Sequence, residues 1–152
     1  MLTQKMIRFF QLIFFLAICF APTFVQNGWS DYSNPVVGNK DNAAYWLDRG
    51  GLFSTYGNYP AAVKAYKKAL ELDSRHGVIY YDLSLAYCEM NAFEEALTAI
   101  GQALAKEPEN GRYYYAKAWI LLRAGRTEEA RPIFQKAADL GDQEAKAYLE
   151  RN

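Results

Sequence analysis

The sequence is poor in the side chains that carry most catalytic and metal chemistry. It has one histidine, His76, and two cysteines, Cys19 and Cys88, in 152 residues. Two cysteines rule out a disulfide framework and a cysteine-rich zinc site. A single imidazole leaves little room for catalysis or metal ligation, so no cofactor and no metal is expected. Charge of one sign is lacking as well: 17 Lys+Arg face 17 Asp+Glu. Beyond residue 25 the balance is 15 basic residues against 17 acidic ones. Phosphate binding needs clustered positive charge, which excludes a strongly basic nucleic-acid binder.

What is present begins with an apolar leader. Residues 1–25 hold six of the nine Phe, carry Lys5 and Arg8, and contain no acid. A short positive segment followed by the apolar stretch Phe9–Val25 has the layout of a secretory signal. Its 17 residues would reach about 25 Å as a helix, marginal for a hydrocarbon layer of ~30 Å. Three fates stay open: cleavage after Ala21, lipid attachment at Cys19, or retention as an anchor with Lys5 and Arg8 on the cytoplasmic side. Each puts residues 26–152 on the far side of the membrane, so an exported protein is expected. A bacterial periplasm, or the extracytoplasmic face of a membrane, is the favoured location. Residues 26–42 read as a linker, since Gly28, Asn34-Pro35 and Gly38-Asn39 are turn formers without apolar periodicity.

The rest of the chain is periodic. Ala62, Ala96 and Ala130 stand 34 residues apart, as do Ala69, Ala103 and Ala137. Between them Tyr66, Ile100 and Phe134 keep one phase, and upstream so do Trp46, Tyr80 and Tyr114. Gly50, Ser84 and Ala118 form a further set, followed by Phe53, Tyr87 and Leu121. Spacings of i, i+4 and i+7 put each trio on one helix face. Large residues on one helix opposite small ones on the next let two helices interlock. Between them Gly57, Asn91 and Gly125 tolerate a left-handed cap, and Pro60, Glu94-Glu95 and Thr127-Glu128-Glu129 suit a helix start. A slight kink is expected at Pro132.

This pattern resembles the tetratricopeptide repeat, whose 34-residue unit has a Trp/Leu/Gly/Tyr first helix and an Ala/Phe/Ala/Pro second helix. The resemblance covers 43–76, 77–110 and 111–144, and 145–152 reads as a capping helix. Departures are local: Arg49 and Lys117 where Leu is usual, Ser74 and Asp142 where Pro is usual. It implies an all-α fold, a right-handed α-solenoid of stacked antiparallel helix hairpins whose first helices line a concave, protein- or peptide-binding groove. The phases carried over give Leu47, Asp48, Gly51 and Thr55 from the first copy, and Tyr81, Asp82, Leu85, Cys88 and Glu89 from the second. The third supplies Arg112, Tyr115, Trp119, Leu122 and Arg123. Packing on the neighbouring repeat is the competing role for the aromatic members. Chaperone-binding members of the family clamp a C-terminal carboxylate with basic and amide side chains. Here those phases hold Leu47, Gly51, Asp82, Arg112 and Ala116; Arg112 alone fits, and Asp82 has the wrong sign.

Other letter combinations are explained without chemistry. Asp73-Ser74-Arg75-His76 are neighbours in a turn and cannot form a triad relay. Cys88 has no partner at metal spacing and behaves as a small apolar residue. The expected function is a non-enzymatic, exported or membrane-tethered adaptor that takes a protein or peptide partner, with no nucleic acid and no small-molecule substrate. Membrane contact would run through residues 1–25 if they are kept. The alternative is a structural subunit or assembly factor of an envelope complex, docking through its convex face or linker.

Overall fold

The computed structural model describes residues 40–151. The leader, and the linker up to residue 39, lie outside the described residues. Among those described there are seven helices and no strand: α1 (Ala43–Thr55), α2 (Tyr59–Leu72), α3 (Gly77–Glu89), α4 (Phe93–Lys106), α5 (Gly111–Arg123), α6 (Thr127–Asp139) and α7 (Gln143–Arg151). None of these helices is long and apolar enough to cross a membrane.

The turns inside the hairpins are set by one residue each. Gly57, Asn91 and Gly125 sit at φ of 71°, 58° and 77°, where a side chain without branching at Cβ costs least. Each closes the helix before it with the same pair of bonds. The Gly57 N–H donates to Ser54 O at 2.9 Å, and the next N–H, of Asn58, reaches back to Phe53 O at 2.9 Å. Asn91 and Ala92 repeat this on Cys88 and Tyr87, and Gly125 and Arg126 on Leu122 and Leu121. These bonds satisfy carbonyls that a helix end leaves unpaired. Asn58 then caps α2 by accepting the Ala61 N–H at 3.3 Å, with Pro60 in the first turn. The α6 end uses the same device at Gly141 (φ 93°), and Asp142 accepts the Ala145 N–H at 2.8 Å. That cap starts α7 two residues upstream of the expected 145.

The repeat phases become the core. Ala62, Ala96, Ala130, Ala69, Ala103 and Ala137 are all within 1% of full burial, and Tyr66, Ile100 and Phe134 within 2%. Small residues in rows let α1–α2, α3–α4 and α5–α6 close, while the large one fills the space between them. At Gly50 the approach is so tight that a Cβ would overlap the Tyr66 ring. Ser84 is fully buried at the equivalent place, and its hydroxyl donates to Tyr81 O at 2.6 Å. Three apolar clusters follow in series, and the first two reach past their own hairpin to the next first helix or second helix. Phe134 stacks on Tyr148 of α7 at 4.0 Å between ring centroids, which closes the last cluster. Helix α6 runs on through Pro132, whose missing N–H falls on an exposed position.

The whole described part is thus an all-α helical repeat solenoid: three stacked hairpins and a final helix.

Candidate protein-binding groove

The stack is asymmetric in how its helices meet. Helix α1 touches α3 and α3 touches α5, while no two second helices come together to a comparable degree among the described residues. First helices therefore lie on the inner side of the curve and second helices on the outer side.

On the inner side the expected residues form ties between successive copies. The Tyr81 ring stacks on Tyr113 with centroids 5.2 Å apart. Its hydroxyl accepts a hydrogen bond from Arg112 Nε at 3.1 Å, and the same guanidinium lies 5.0 Å from the ring centroid. Arg123 pairs with Glu89, one repeat back, through Nη1 and Oε1. These contacts are partly exposed, so each contributes little to stability by itself. Their effect is geometric: they hold α3 and α5 side by side and fix what the inner face presents.

Burial sorts the apolar members. Tyr81 and Leu85 are half-buried against the second cluster, and Tyr115 and Leu122 against the third. Tyr115 meets Phe134 edge-on at 5.7 Å, so much of this ring is packing. Burial, with the carboxylates of Glu144 and Asp142 near it, pushes its phenol pKa up. Trp119 is different, with 40% of its surface exposed. Leu47 is half-buried under the first cluster, while Asp48 and Thr55 are exposed. Gly51 faces open space, since a Cβ there would meet nothing within 4 Å.

Cys88 does not belong to this face. It is 1% exposed, in the cluster with Tyr113, Ala116 and Ile120 of α5. Because α3 and α5 touch, the residue between them is lost to the seam, and burial raises its thiol pKa. Val78, 42% exposed at the start of α3, is a surface residue that the sequence reading passed over. Its signal was available: it stands 34 residues before Arg112.

Asp82 is the electrostatic exception. Its carboxyl is raised to about 6, chiefly because burial disfavours the charged form, and the Arg112 guanidinium opposes this only in part. No hydrogen bond donor satisfies it among the described residues. Asp82 also raises the phenols of Tyr66 and Tyr113, so it looks onto α2 and α5 as well as the inner surface.

Comparison with known proteins adds the family. Models of the tetratricopeptide repeat match residues 43–76 and 81–145. The STIP1 homolog of Dictyostelium discoideum is 28% identical over 103 residues, covering 68% of this chain and 18% of that protein. The chain therefore spans less than a fifth of that curated relative's length. The TPR domain of Arabidopsis OM64 superposes with a TM-score of 0.68 at 22% identity, over 75% of this chain and 96% of that one. The first TPR of Spaghetti (RPAP3), solved bound to the HSP90 peptide SRMEEVD, gives 0.67 at 20% identity, over 75% and 94%. At such identities these structures show the fold. With the repeat models covering 34 and 65 residues, or 99 of 152, the chain belongs to the tetratricopeptide repeat family.

Proposed function

We propose that the chain is a non-enzymatic adaptor that binds a protein or peptide segment on the inner face of its first helices. The observation that carries this reading is Trp119: a large aromatic side chain 40% exposed on a face otherwise built of half-buried rings. Aromatic anchors near Arg are the usual content of binding hot spots. A solved relative in complex with an HSP90 peptide supports the same use of the fold. The carboxylate clamp is not part of the proposal, since Leu47, Gly51, Asp82 and Ala116 supply neither cation nor amide. A crosslinked pull-down comparing wild type with Trp119→Ala, read by mass spectrometry, tests it. The reading requires a partner that disappears with Trp119; partners retained in full by the variant would refute it.

A second reading rests on an open pocket of about 410 Å³ on α3 and α4, floored by Tyr80, Leu83 and Tyr87 and edged by Glu94, Glu95 and Gln102. A structural subunit of an envelope assembly would dock there, on the second-helix side. Gln102→Trp, an exposed edge position from which the indole would fill that pocket, would then abolish assembly while Trp119→Ala stayed silent.

Export is the other half of the proposal. Residues 1–25 support a signal that is cleaved, lipidated at Cys19 or kept as an anchor, leaving the repeats periplasmic or on the extracytoplasmic face. Intact-mass measurement of the mature protein, with protease protection in spheroplasts, separates these fates. A protein that starts at Met1 and stays protected from protease in spheroplasts, with the outer membrane opened, contradicts export.

A further inference from the structure

The charges of the inner face do not cancel equally along the stack. Asp48, Asp82 and Glu150 share one phase of the first helices, at intervals of 34 and 68 residues, and Ala116 interrupts the row. None of the three carboxylates is hydrogen-bonded among the described residues. Of the other charges near them, Glu89 is offset by Arg123, while Arg112 bonds only the neutral Tyr81 hydroxyl and ring and offsets Asp82 in part, so that Asp48, Asp82 and Glu89 still outnumber the two cations. Lys146 belongs to α7, past the third copy. Over the first two copies, the charge left for a ligand is therefore negative.

Alongside those acids the surface is apolar and roomy. Val78 is 42% and Trp119 40% exposed, Leu47, Tyr81 and Tyr115 form a half-buried row, and Gly51 leaves space beside Asp48. Asp82 is the least solvated acid of the row, held in part out of water and without a donor. An incoming ammonium or guanidinium would supply the hydrogen bonds that it lacks, and charge-assisted bonds of that kind are the strong ones.

Resting on the groove reading above, we propose that the ligand is a basic, apolar extended segment whose Lys or Arg side chains meet Asp82 and Asp48. This is the opposite charge preference from a clamp for acidic tails. Spacing follows from the stack. Neighbouring helices pack about 10 Å apart, and an extended segment of polyproline-II type advances about 3.1 Å per residue with every third side chain on the same side. Two cationic side chains three residues apart in the ligand therefore match the two acids, with apolar side chains between and after them over Tyr81 and Trp119.

The test uses the full chain and an array of decapeptides, acetylated and amidated so that neither terminus contributes charge. Wild type should retain peptides enriched in Lys or Arg at positions i and i+3 with aromatic or aliphatic neighbours. Asp82→Asn should weaken those peptides at least fivefold while leaving uncharged apolar peptides as they were, and Asp48→Asn should do so less. Circular dichroism confirms that both variants fold. Enrichment of acidic peptides, of uncharged peptides alone, or basic enrichment indifferent to Asp82→Asn overturns the charge assignment and leaves the groove standing. Retention of no peptide by wild type overturns both.

Discussion

At the scale of single residues, the molecule separates groups that hold the fold from groups that face outward. Trp119 is of the second kind. Because the rest of the indole is covered, replacing it by Ala should cost about 1–2 kcal/mol, roughly 5–10 °C in Tm, well short of a fully buried aromatic. Thermal melts check this, and a much larger drop would make Trp119 part of the core. Tyr115 is a poorer probe of binding, because its ring packs on Phe134. Asp82 makes a prediction through its proton. Its folded pKa is raised to about 6 from an ordinary 3.8, so the folded state holds the proton more tightly than the unfolded chain. Stability from this group is therefore full below pH ~4 and lost as pH rises through ~6, by up to about 2 kcal/mol after solvent screening. The groups facing it are Arg112 and Tyr113 on α5 and Tyr66 on α2, and neither phenol titrates in that range. Asp82→Asn should remove this slope and raise stability at pH 7, as urea melts between pH 4 and 7 would show. Asp73, lowered by its hydrogen bonds from Arg75, works with the opposite sign and is common to both proteins.

At the scale of elements, the hairpin is the unit, and its closing contact is Gly50 against Tyr66. A methyl group there has no room. Gly50→Ala should lose about 1–3 kcal/mol by overpacking, more than the gain in helix propensity returns. Adding Tyr66→Leu should recover part of it, and a double-mutant cycle in urea measures the coupling. Zero coupling would mean that the two helices do not meet at that point. Hairpins were legible in the sequence because their determinants are local. A residue at positive φ, a charged or proline start and a small–large–small row each act within a few residues. Seams between hairpins were less legible. Cys88 was assigned to the open face because its phase alone cannot reveal that α5 covers it. Val78 and Glu150 needed only counting by 34 from residues already chosen. The packing of Tyr115 on Phe134 depends on the helix offset between copies, which no periodicity specifies.

At the scale of the whole molecule, each repeat is stable because its neighbours cover it. Phe134 is fully buried only because α5, α6 and α7 surround it. Phe134→Ala should cost about 3–5 kcal/mol, and ending the chain at residue 142 should lower Tm by bringing the same ring to the surface. Both are checked by calorimetry; a truncated chain that melts like wild type would deny α7 its role as cap. The same stacking fixes the inner face, since Tyr81–Arg112 and Glu89–Arg123 bind one copy to the next. The central claim is that this face, and not the second-helix side, receives the partner. The most direct measurement places a photo-crosslinking amino acid at Trp119 or at Gln102, one per variant, and maps the labelled partner. The account predicts a crosslink from position 119 and none from 102. A partner labelled from 102 alone would contradict it and move the interface to the pocket on α3 and α4.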